Sequence, residues 1–163
     1  MKIKNQAKLY DELMRAANRY AQLRTIFAGI PAKAEFITRA DCPLSGVCID
    51  VHDDDGSIRA RFIDREVRLR WRYDGSGSGQ GIIIAEDWSF GVKEPVRLWT
   101  IGFVATGETD LEKRDGASSN LNTGTDCAEI ILTALDDAMS RPLQQGGAPS
   151  VRAPALEKAA QAS

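Results

Sequence analysis

"SIRARFIDREVRLRWRYDG", residues 57–75, keeps a period of two through both of its apolar runs. Ile58, Ala60 and Phe62, and then Val67, Leu69, Trp71 and Tyr73, take one set of positions, while Arg59 and Arg61, and then Arg68, Arg70 and Arg72, take the other. Successive side chains of a strand point to opposite faces, so each run reads as a strand with one apolar and one arginine face. Residues 64–66 interrupt the pattern as a turn. Two strands joined by so few residues must pair antiparallel, because a parallel pair needs a crossover of a dozen residues or more.

The same period extends on both sides. "GVCIDVH" (46–52) sets Val47, Ile49 and Val51 against Cys48, Asp50 and His52. "GIIIAE" (81–86) and "VRLWTIGFV" (96–104) are more continuously apolar, the mark of central strands or strands covered on both faces. "AEFITRA" (34–40) reads as one more short strand. Asp55-Gly56, the Gly/Ser run at 74–81 and Glu94-Pro95 supply the turns. Residues 106–123 contain almost no apolar residues and read as a long polar connection.

Two segments switch to a helical period. Over residues 5–27, Leu9, Leu13, Ala16, Tyr20, Leu23 and Phe27 recur in steps of four and three, with Asn5 as N-cap and Gly29 and Pro31 ending the helix. These steps also match a heptad, so a homodimer through this helix, or through an edge strand, is a further possibility. Over 125–140, Cys127, Ile130, Ile131, Ala134, Leu135 and Ala138 form the apolar face, Thr123 or Thr125 the cap and Pro142 the stop.

The expectation is an α+β domain over residues 1–141. An antiparallel meander of five or six strands carries the N-terminal and C-terminal helices on one face, and a flexible low-complexity tail follows over 142–163. The other face of the sheet is then open and holds the arginines.

That face poses the functional question. The chain has a formal charge of −2, so it lacks the overall basic balance of a nucleic-acid binder, and any polyanion site must be local. Residues 57–73 hold six arginines against Asp64 and Glu66. A two-residue turn at Asp55-Gly56 would pair His52 with Arg59 and Asp50 with Arg61, and the next turn would set arginine against arginine, which is unfavourable without an anion between them. Guanidinium groups suit phosphates, carboxylates and stacked bases. Arg59, Arg61, Arg68, Arg70 and Arg72 are therefore candidate binding residues for nucleic acid or a phosphorylated ligand. An acidic protein surface is the alternative partner, with Trp88 of "EDWSFG" as a further candidate, since arginine and tryptophan are enriched among interface hot spots. The plainer readings are an ion-pair lattice with Asp50, Asp64 and Glu66, and a Trp88 that closes one end of the core.

No pattern for catalysis, a cofactor or a metal emerges. "DGSGSGQG" lacks the Lys-Ser/Thr of a phosphate loop and precedes a strand. His52 is the single histidine, and "DDDG" lacks the later ligands of a calcium loop. No GxSxG occurs. Cys42, Cys48 and Cys127 are odd in number and form no CxxC, as in reduced thiols of a cytoplasmic protein. The first twenty residues lack the apolar run of a signal peptide, and no stretch approaches the roughly 18 apolar residues of a membrane span. The sequence leans towards a non-enzymatic binding domain.

Overall fold

A computed structural model of the chain describes residues 2–76, 79–89, 94–113 and 115–142. Seven antiparallel strands lie in sequence order in one sheet: β1 Cys48–Val51, β2 Ile58–Phe62, β3 Arg65–Asp74, β4 Gln80–Asp87, β5 Val96–Phe103, β6 Glu108–Glu112 and β7 Ser118–Asn120. Helices α1 Gln6–Ala28, α2 Ile30–Ala34 and α3 Gly124–Met139 complete an α+β fold. The expected tail beyond Pro142, and Phe90 of the "EDWSFG" stretch, lie outside the described residues, as do residues 77 and 78 of the Gly/Ser run.

The inner face of the sheet and α3 form the core. Ile58, Ala60, Val67, Leu69, Ile83, Ala85, Ile101 and Phe103 from the strands pack with Cys127, Ile130, Ile131, Ala134, Leu135 and Ala138 from α3. The apolar period of each element dictated this pairing of faces. Thr123 caps α3, its hydroxyl accepting from the N–H of Asp126. Asn5 caps α1 through a 2.9 Å bond from the N–H of Ala7. The roles of the two long helices differ. Along the whole of α1 only Leu23 and Phe27 are buried, near its C-terminal end, where Tyr20 and Phe27 lie against Trp71.

Three expectations need correction. Residues 34–40 are not a strand. The chain continues past Gly29 in right-handed helical conformation, Pro31 falls in the first turn of α2 where its missing N–H does no harm, and Glu35–Thr38 form a 3₁₀ turn. Residues 106–123 are not a loop but the β6–β7 hairpin, so the sheet has seven strands. Those strands escape an apolar pattern because Thr109 and Ser119, which bond to each other, fill the buried positions. The first hairpin is also shifted by two. Asp50 pairs with Arg59 and Ile49 with Ala60, because the turn spans Asp53–Gly56 with Gly56 at φ 68° rather than two residues. A shift of two preserves which face each side chain occupies.

Candidate partner-binding face

Among the described residues the outer face carries no helix, and the registers fix its population. Glu66, Arg68, Arg70 and Arg72 of β3 face the same way as Arg59 and Arg61 of β2, Asp50 of β1, and Ile82, Ile84 and Glu86 of β4. Trp88 continues the outward set beyond β4 and hydrogen-bonds its N–H to the carbonyl of Glu66. All six residues singled out in the sequence thus meet on one surface. Arg65, one position out of phase with the outward residues of β3, turns inward instead and donates to the Arg141 carbonyl just past α3, 3.1 Å away.

Carboxylates interleave with the arginines. Arg61 donates to Asp50 at 2.9 Å, and Arg59 stands 3.6 Å from the same carboxylate. Arg68 donates to Glu66 at 3.2 Å, and its guanidinium lies 4.0 Å from the centre of the Trp88 ring. Arg70 donates from Nε to Glu86, whose side chain is 8% exposed. Arg72 forms no ion pair among the described residues. Nearby Asp74 is held below its ordinary carboxylate range by the hydroxyl and N–H of Ser76, with a smaller pull from Arg72. Among the described residues Asp64 pairs only with Arg65, so there it does not join the lattice foreseen for it. The turn Ile63–Asp64, with Ile63 at φ 55°, is shorter than the 64–66 span expected, and it sets Arg61 opposite Glu66 and Arg59 opposite Arg68.

Two features were missed in the sequence. One is an apolar strip: Ile84 lies opposite Arg70 and Ile82 opposite Arg72, and Ile84 is 7% exposed under the neighbouring side chains. The triplet of isoleucines hid it, because a continuous apolar run does not say which face is covered. The other is Arg97. Ala85 pairs with Trp99 but Glu86 pairs with Arg97, so β5 holds one extra residue, Leu98. This bulge turns Arg97 to the outer face beside Glu86. No local pattern announces a bulge of this kind.

Elsewhere, His52 Nδ1 lies 3.9 Å from Asp54 and 3.8 Å from Asp55 at the first turn. Ser57 holds the Asp55 carboxyl below its ordinary value through its hydroxyl and its N–H. Among the described residues no three His, Cys, Asp or Glu side chains converge as a metal site. The cysteines are free thiols, and burial pushes Cys127 up to about 11, as befits a small apolar core residue. No helix among the described residues is long and apolar enough to cross a membrane. No family model matches the chain, and neither a curated protein nor a solved structure is found to be similar to it.

Proposed function

We propose that the protein is a non-enzymatic binding module whose outer sheet face docks on a second protein of mixed, mainly acidic charge. The carrying observation is the interleaving of Asp50, Glu66 and Glu86 with the arginines. A nucleic-acid backbone presents negative charge only, at about one phosphate per 1.7 Å of duplex. Laid on this face it would meet three carboxylates as well as the arginines. A protein surface can answer both signs. Ile82, half-buried opposite Arg72, and Ile84, buried opposite Arg70, form an apolar stretch bordered by arginines on one side and by Thr100 and Gly102 on the other, a mixture of apolar and charged surface that suits a protein partner. The stack of Arg68 on Trp88 holds two hot-spot residue types ready in one geometry.

A second reading, a polyanion site, draws on one feature: Arg59 directly opposite Arg68, with Arg72 unpaired among the described residues.

The test compares wild type with Arg72→Glu. Reversing Arg72 strands no carboxylate, whereas reversing Arg70 would leave Glu86 buried without its cation. Both proteins, checked for folding by circular dichroism, are titrated with labelled DNA and RNA at low and moderate salt. Both are also used as bait, and the captured proteins are identified by mass spectrometry. The proposal expects weak nucleic-acid binding that vanishes at moderate salt, and a protein that wild type retains and Arg72→Glu loses. Nucleic-acid binding that persists at moderate salt and is lost in Arg72→Glu would transfer the assignment to the polyanion reading.

A further inference from the structure

We infer that the projecting half of α1 pairs antiparallel with α1 of a second copy of this chain, using a surface separate from the outer sheet face. From Lys2 to Gln22 every residue but Ala16 is exposed. Yet the apolar stripe that Leu23 and Phe27 carry into the core runs on through Tyr20, Ala16, Leu13 and Leu9. Leu13 is 69% exposed, Tyr10 65% and Met14 45%. A helical stripe of this kind is stable in water when something covers it.

The geometry selects the occupant and its direction. In a parallel, in-register pair the partner's helix would have to lie against Leu23 and Phe27, which this chain's own core already buries. That pair would also set Arg19 against the partner's Arg24 on both flanks. In the antiparallel pair Leu9 meets the partner's Tyr20, and Leu13 fills the space over the partner's Ala16. Each contact occurs twice by symmetry. One flank then sets Glu12 beside the partner's Arg19, twice over, and the other lays Tyr10 over the partner's Ala17. In this register Gln6, where the helix begins, comes opposite the partner's Leu23, where the partner's core begins. The free stripe and the available helix therefore end at the same place. A groove lined by Tyr20, Ala21, Arg24, Thr25, Ala28 and Gly29 lies where the partner's first residues would pass, and Ile3, 86% exposed, is the apolar side chain to enter it. Within one chain Glu12 bonds to Lys4 at 2.6 Å, and Arg19 has an interaction of its own, with its side chain close to Gly79; both side chains are exposed and exchange partners at little cost.

The overlap runs from Leu9 to Tyr20, about 18 Å of helix, a small interface, so the dissociation constant should be on the order of micromolar. Sedimentation equilibrium of the whole chain from about 1 to 500 μM tests this, with the range set by that expectation. Wild type is expected to pass from monomer to dimer, and Leu13→Glu, folded by circular dichroism, to stay monomeric throughout. Glu12→Arg and Arg19→Glu should each weaken the dimer roughly tenfold, and an equimolar mixture of the two should restore it, because every flanking pair is then attractive. A wild type that is monomeric across the range overturns the proposal, as does a dimer that Leu13→Glu leaves intact. Single variants that weaken the dimer while their mixture fails to recover would overturn the antiparallel register.

Discussion

Arg59 and Arg68 stand directly opposite each other across β2 and β3, and the Glu66 carboxylate lies between them, 3.8 Å from the first guanidinium and 3.2 Å from the second. Like charges facing each other across strands are destabilising. Here the opposition is relieved from within the fold, because the Ile63–Asp64 turn brings Glu66 into the outward set beside both arginines. An external anion is therefore not required to hold this part of the sheet together.

Glu66→Gln should expose the repulsion. We expect it to destabilise the protein by about 1 kcal/mol at low salt and by less at about 0.5 M salt, where the Debye length is only a few ångströms. Urea melts at the two ionic strengths measure this. The same substitution makes the face more positive, so the variant should bind labelled DNA more tightly than wild type does at low salt. Equal affinity of the two proteins would mean that the interleaved carboxylates are not what discourages a polyanion.

Asp126 carries the pH dependence of the opposite edge. Its side chain is 4% exposed, accepts the Asn120 N–H at 2.7 Å and meets the Lys113 ammonium at 2.5 Å, which ties the β6–β7 hairpin to the first turn of α3. Burial works to raise its carboxyl, but the Lys113 ammonium, the Asn120 N–H and Thr123 together outweigh burial and hold it below the ordinary aspartate value. The same bond holds Lys113 above its ordinary value. A depressed carboxyl contributes stability that is complete above the unfolded value, about 3.9, and is lost as pH falls through the lower folded value. Asp126→Asn should therefore be less stable than wild type by about 1–2 kcal/mol at pH 7. That difference should shrink below pH 4, because only wild type has this charge to lose. Glu12, Asp55 and Asp74, also held low, titrate in both proteins and cancel in the comparison. A difference that stays constant down to pH 2 would show that Asp126 acts through shape and hydrogen bonding rather than charge.

What could be read in the sequence divides along physical lines. The period of two around Arg59–Tyr73 and the step of three and four around Cys127–Ala138 are properties of single elements, and they placed the arginines on one face and α3 on the other. Registers depend on turn geometry, which composition constrains poorly. Asp55-Gly56 offered a two-residue turn, and the fold uses Asp53–Gly56 instead. The bulge at Leu98 arises from the match between two strands, so neither strand alone contains it. β6 and β7 pair mainly through their backbones, with Thr109 and Ser119 inside, and leave no apolar signal. Whether an arginine is paired is the least legible property of all. Glu86, the partner of Arg70, comes from a different strand whose register must be known first.

The core supplies the last prediction, at a point where two central strands meet. Gly81 lies opposite Phe103 across β4 and β5, and the Phe103 ring lies over Gly81 so closely that a Cβ there would overlap it. Phe103 is itself 1% exposed and meets Trp71 edge to face, with ring centroids 6.0 Å apart, so it has nowhere to retreat. A glycine within a strand usually weakens it; here the ring fills the space that a side chain would otherwise occupy. Gly81→Ala should destabilise the protein by about 1–3 kcal/mol through overpacking, and Phe103→Leu by a similar amount through lost burial. The double variant should lose clearly less than the two together, because leucine lacks the ring edge that crowds residue 81. Urea melts of the four proteins give the coupling. Strict additivity would mean that the ring does not limit position 81, and that glycine is there for the backbone alone.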